Sequence, residues 1–182
     1  MELAKQPYSE VPKRYVQLDQ DPNFVSNAVS LPQVLVIDMN KLLSEDATEL
    51  EKLDHACKQW GFFQMINHGV NPSLVENVKI GVQEFFNLPM EDKKKLWQKP
   101  GDLEGFEHVI GLHPHSDVEV ITILHQVNEI EGLQIRKDGM WIPIKPLSYA
   151  FVINIGDILE ILADGIYRNI EHRSTVIAIL RC

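Results

Sequence analysis

The sequence predicts a mixed α+β fold: an α/β amino-terminal part followed by a β part arranged as a barrel or a double-sheet jelly roll. Three observations predict it. Apolar residues recur at helical spacing between residues 46 and 87, alongside short runs of β-branched and aromatic residues. From Val109 the period shortens to that of strands, with several short runs at close spacing. Turn signals separate those runs, the clearest being Asp138-Gly139, a strong hairpin dipeptide.

Taken in order, residues 1–33 carry Pro7, Pro12, Pro22 and Pro32 among polar residues, which predicts an extended arm lying on the body. Residues 34–37, Val-Leu-Val-Ile, predict a buried strand. Leu50, Leu53, Cys57 and Trp60 share one helical stripe, so residues 46–60 predict an amphipathic helix stopped by Gly61. Cys57 lies on that stripe and reads as a small buried hydrophobe rather than a catalytic thiol. Residues 62–66 predict a second strand, closed by the turn Asn67-His68-Gly69, where His68 reads as a turn histidine satisfied by backbone.

Asn71-Pro72 opens a helix, with a capping side chain before a proline at the first helical position. Val75, Val78, Val82, Phe85 and Phe86 give that helix a core face through residue 87. A short helix follows over 90–96, and its Lys93-Lys94-Lys95 run reads as a solvated face. Strands are predicted over 119–124, 133–136, 141–144, 150–154 and 166–170, with one helical turn at 157–162. The organisation is therefore residues 1–108 as an α/β region and 109–182 as a partial jelly roll.

Bulk properties narrow the function. A chain of 182 residues with 45% hydrophobic and 24% charged content can bury a sizeable core. A net charge of -9 repels phosphate backbones, so nucleic acid is not an expected partner. No apolar run approaches the roughly 18 residues that a membrane helix needs, and no membrane partner is expected. Two cysteines, Cys57 and Cys182, cannot make a disulfide framework, which suits a reducing, cytoplasmic setting.

Against this background His115-Ser116-Asp117 stands out. In an extended strand residues two apart leave the same face, so His115 and Asp117 could serve one metal, with His172 supplied by another strand. Two imidazoles and one carboxylate on one face form the triad of non-haem Fe(II) oxygenases. His113 falls on the same face and reads as a neighbour of the ligands rather than a fourth ligand. His55, His108 and His125 lack such a pattern and read as surface or boundary residues.

A longer set of ordered motifs carries a family resemblance. These are the stretch from Asp54 through Trp60-Gly61-Phe62-Phe63-Gln64-Met65-Ile66-Asn67-His68-Gly69-Val70, then Phe85-Phe86-Asn87-Leu88-Pro89 and Glu104-Gly105-Phe106. Pro114-His115-Ser116-Asp117, Leu133-Gln134-Ile135, Gly139-Met140-Trp141, Asn154-Ile155-Gly156-Asp157 and Glu171-His172-Arg173 follow in order. Together they resemble the plant 2-oxoglutarate- and Fe(II)-dependent dioxygenases, an isopenicillin N synthase-like family, in its SRG1-like and norcoclaurine-synthase-like branch.

The resemblance implies a double-stranded β-helix, the cupin-like jelly roll, with iron held by His115, Asp117 and His172. It implies 2-oxoglutarate as co-substrate, ascorbate as an accessory reductant, and oxidation of a small plant specialised metabolite. It also implies that a mostly helical segment and a strand are absent between residues 108 and 109, so the jelly roll is incomplete. The family's co-substrate tyrosine lies in that segment. The family's Arg-x-Ser motif has no match here; Arg181 is the arginine this chain offers in its place, although a terminal surface arginine fits its neighbours better. The alternative is a truncated, non-catalytic homologue that keeps the metal triad but does not bind 2-oxoglutarate. A third reading is a cupin-like metalloenzyme that needs no 2-oxoglutarate.

Overall fold

Two adjacent phenylalanines show how the layers are made. In the strand β2 (Phe62–Ile66) neighbouring side chains leave opposite faces, so Phe62 and Phe63 enter two different cores. A computed structural model describes residues 32–95, 114–127 and 131–174. Its elements run β1 (Leu35–Asp38), α1 (Met39–Leu43), α2 (Ala47–Gln59), β2, α3 (Pro72–Asn87), α4 (Met90–Lys94) and β3 (Ile121–His125). They continue with β4 (Leu133–Lys137), β5 (Met140–Pro143), β6 (Phe151–Ile155), α5 (Asp157–Leu162) and β7 (His172–Ser174). The amino-terminal arm through residue 31, His108, His113 and Arg181 lie outside the described residues.

The described strands form two sheets. One has the order β1-β2-β6-β3, in which β1 and β2 are parallel and the other pairs antiparallel. The second, β5-β4-β7, is antiparallel throughout. Phe62, Val152, Ile135, Ile142 and Ile144 meet in a core to which both sheets contribute. On the other face of the larger sheet Phe63, Ile153 and Ile155 pack against Ala56 and Cys57 of α2. This is a jelly-roll arrangement with a helix backing one sheet, the mixed α+β class expected.

Local chemistry explains most boundaries. Asp46 caps α2, its carboxylate accepting from the Glu49 amide at 2.9 Å. Asn71 caps α3 by accepting from the Ser73 amide at 2.8 Å, and Pro72 follows at the first position. Asp138 and Gly139 both take positive φ, 51° and 78°, making the tight turn from β4 to β5.

Two expectations need correction. Residues 166–170 form no strand, because their donors go elsewhere. The Arg168 amide bonds the Cys57 carbonyl at 3.1 Å, and the Asn169 amide bonds the Glu160 carboxylate at 2.8 Å. The strand begins only at His172. The helix α3 has its expected bounds but buries none of its residues, and Val78, Val82 and Phe86 are about half exposed. By its contacts α3 belongs, with α4, to a compact unit separate from the one that contains both sheets.

Candidate metal centre

His115 reaches His172 through the backbone. The His115 amide donates to the His172 carbonyl at 3.0 Å, and the His172 amide returns a bond to the His115 carbonyl at 2.8 Å. This isolated antiparallel bridge brings the two ring centroids to 4.3 Å. Asp117 lies not on a strand with His115 but in the loop that follows the bridge. What brings His115 and Asp117 together is therefore a bridge and a pinned loop, not a shared strand face. Even so, Asp117 Oδ1 stands 3.5 Å from His115 Nε2 and 3.6 Å from His172 Nε2. Donor atoms from all three residues lie within 4.8 Å of one another.

The loop is held by the turn into α5. The Asp157 amide donates to the Asp117 carbonyl at 2.7 Å, and the Gly156 amide to the Val120 carbonyl at 3.1 Å. A Cβ at Gly156 would stand 1.8 Å from the Glu119 carbonyl oxygen, so only glycine allows the two backbones this close. The sequence Asn154-Ile155-Gly156-Asp157 thus has a physical reading. Ile155 fills the core beside α2, Gly156 gives room, and the Asp157 amide anchors the loop that carries Asp117.

Protonation fits the arrangement. Burial raises the Asp117 carboxyl, but hydrogen bonds from Thr122 and Asn154, with the two imidazoles, outweigh it and hold the group below its ordinary range. Burial pulls His172 below the usual histidine value, helped by His115 and opposed by the Ile170 carbonyl and Asp117. His172 Nδ1 lies 3.1 Å from the Ile170 carbonyl, where it can only donate, so Nε2 presents its lone pair toward Asp117. His172 is buried, with its ring edge-on to Phe62 at 5.1 Å, whereas the His115 side chain is about one-third exposed.

The donor set suits a divalent metal. Imidazole nitrogens and carboxylate oxygens bond such ions at roughly 2.0–2.2 Å, and the separations between the Asp117 oxygen and the two nitrogens are ones that donors sharing a single ion can span. Other histidines stand apart. His68 Nε2 lies 3.2 Å from the Tyr149 carbonyl and its ring stacks on Phe151 at 4.2 Å, while His125 meets Phe151 edge-on. Residue-by-residue reading missed Thr122 and Asn154, which hold Asp117. The available signal was Asn154 itself, a fully buried amide inside the apolar strand Phe-Val-Ile-Asn-Ile.

Two sheets in a jelly roll with a His/Asp/His cluster are the arrangement that mononuclear non-haem metal proteins use. Sequence comparison places the chain further. Residues 34–127 match the family described as non-haem dioxygenase in morphine synthesis N-terminal, and residues 95–178 match the 2OG-Fe(II) oxygenase superfamily. The chain is 35% identical to Protein SRG1 of Arabidopsis thaliana, over 91% of this chain and 74% of that protein. It is 34% identical to codeine O-demethylase of Papaver somniferum, over 96% of this chain and 77% of the relative. The fold is similar to that in the crystal structure of JOX2 in complex with 2OG, Fe and JA, with a TM-score of 0.74, 22% identity and coverage of 95% and 77%. The chain belongs to the plant 2-oxoglutarate- and Fe(II)-dependent dioxygenase family.

The alignment with SRG1 runs over 266 positions. Against the 182 residues of this chain, at least 84 of those positions have no counterpart here. They fall inside the aligned span.

Proposed function

We propose that this chain is a non-haem Fe(II)- and 2-oxoglutarate-dependent oxygenase that oxidises a small molecule, with His115, Asp117 and His172 as the iron ligands. The observation that carries the reading is the convergence of those three side chains, from a bridge, a pinned loop and a strand, in a chain of this family. Iron held by these ligands, with 2-oxoglutarate and dioxygen, would supply the oxidising power for a C–H bond, one oxygen atom going to the substrate and the other into the succinate left when the co-substrate loses CO2. The chain's own residues do the rest. Asp117 contributes the negative charge, His172 is fixed as the Nδ1–H tautomer by Ile170, and the His115–His172 bridge sets the ring spacing.

The finer reading is a plant specialised metabolite handled in the cytoplasm. It is supported by relatives named as flavonoid and codeine demethylases. No helix among the described residues is long and apolar enough to cross a membrane.

The test is anaerobic Fe(II) titration of the purified chain, with and without 2-oxoglutarate, watching for the metal-to-ligand charge-transfer band. Iron binding that develops the band on adding 2-oxoglutarate, followed by 2-oxoglutarate-dependent CO2 release in air, is the expected result. Iron binding without the band would select the non-catalytic homologue. Failure to bind iron would remove the triad's role altogether.

A further inference from the structure

We propose that Thr122 and Asn154 are positioning residues that clamp one oxygen of Asp117 so that only its other oxygen is presented to a metal. This rests on the reading of His115, Asp117 and His172 as ligands.

The geometry separates the two carboxylate oxygens. Asp117 Oδ2 accepts from the Thr122 hydroxyl at 2.5 Å and from the Asn154 amide nitrogen at 2.8 Å. Asp117 Oδ1 faces the imidazoles, 3.5 Å from His115 and 3.6 Å from His172. A carboxylate can bind a metal through one oxygen or both, and can swing between the two modes. With both donors on Oδ2, rotation would break two charge-assisted hydrogen bonds at once.

The clamp is built on strands, not on the loop that carries Asp117. Thr122 and Asn154 are directly opposed across the antiparallel β3–β6 pair. Side chains opposed in this way share a face of the sheet, so one carboxylate oxygen can reach both. The loop chain is tied down independently by the Gly156 and Asp157 amides. Backbone and carboxylate of Asp117 are therefore fixed from two sides.

Asn154 also pays for its place. It is fully buried, and its Oδ1 has no hydrogen-bond partner among the described residues. Turning the amide over would not help, since an ionised carboxylate accepts only, and the amide oxygen would then face it. An apolar residue of similar size would leave no orphaned acceptor in the core. The amide therefore serves Asp117 at the expense of the fold around it.

The test is metal affinity read separately from stability. Thr122→Val keeps shape and removes the hydroxyl, Thr122→Ser keeps the hydroxyl, and Asn154→Leu removes the amide. Anaerobic Fe(II) affinity, the visible spectrum of the Co(II)-loaded protein and the metal-free thermal midpoint are measured for each. The expected result is a 10- to 100-fold weaker metal affinity for Thr122→Val and Asn154→Leu, the range typical of residues that orient metal ligands. An altered Co(II) spectrum should accompany it, with near-parent affinity restored in Thr122→Ser. A purely structural role would lower the thermal midpoint and leave metal affinity and spectrum in place. Parent-like affinity and spectrum in both variants overturn the clamp while the ligand assignment stands. If His115→Ala also binds metal like the parent, the ligand reading fails instead. Should Asn154→Leu not fold, the comparison of Thr122→Val with Thr122→Ser decides the matter.

Discussion

At the residue scale the two histidines of the cluster should separate stability from binding. His172 is buried against Phe62, so His172→Ala leaves a void and should cost about 2–4 kcal/mol in metal-free denaturant unfolding, as large-to-small core changes do. The more exposed His115 should cost under about 0.5 kcal/mol when replaced by alanine, while both changes should abolish high-affinity metal binding. Equal stability losses would contradict the burial difference. Cys57 gives a second residue-scale prediction. Burial, with Asp54 nearby, pushes its thiol from 9.0 up to about 11. A raised folded pKa means the neutral thiol is favoured in the fold, so this contribution is complete below pH 9 and is lost as pH rises toward 11. The native chain should therefore react slowly with a thiol reagent at pH 8 at this position, and rapidly once unfolded. These side chains were legible in the sequence because each has a distinctive chemistry at a distinctive place. Thr122 and Asn154 were not, since a threonine in a strand has an ordinary explanation and the role of Asn154 depends on which strand lies opposite.

At the element scale, helices and hairpins were legible because their signals are local. Asn71-Pro72 starts α3 where it should, and Asp138-Gly139 turns where it should. The misread stretch, residues 166–170, has strand-like composition, but its backbone donors are taken by Cys57 and by the Glu160 carboxylate, partners that no local pattern reveals. Burial is equally non-local. The periodic face of α3 set the helix, but Val78 and Val82 are about half exposed among the described residues, so Val78→Glu and Val82→Glu should each change unfolding free energy by only about 0.5 kcal/mol. A core face would instead lose several times as much. The turn into α5 is the opposite case. Gly156→Ala drives a methyl group into the Glu119 carbonyl and should destabilise by about 1–3 kcal/mol, the usual cost of overpacking. Because the same loop carries Asp117, metal affinity should fall with it, and an unchanged affinity in a folded Gly156→Ala protein would mean that the loop relaxes without moving the carboxylate.

At the scale of the whole molecule the sequence predicts a division near residue 108 into an α/β region and a β region, yet the larger sheet takes strands from both sides of that point. The strand β2 sits between β1 and β6, with Phe62 opposite Asn154 and Phe63 opposite Ile153. Both cores depend on the junction: Phe62 and Trp60 join Val152, Ile135 and Ile142 in one, and Phe63, Ala56 and Cys57 join Ile153 and Ile155 in the other. This pairing could not be read from periodicity, because more than 80 residues of chain separate the partners, as they do for the Gln64 amide and the Lys145 carbonyl it bonds at 3.0 Å. The consequence is testable. Residues 109–182 produced alone would expose one face of Ile153 and Ile155, lose Phe62 from beside His172, and leave β6 without one of its two neighbours. Such a fragment should lack a cooperative thermal transition and bind no metal, although it contains His115, Asp117 and His172. Adding residues 1–108 in trans should restore both together, since the strand that completes the sheet also supplies the ring against which His172 packs. If the fragment alone binds Fe(II) as tightly as the intact chain, the ligands are held by the bridge and the loop without the amino-terminal strands, and the metal centre is independent of the sheet that backs it.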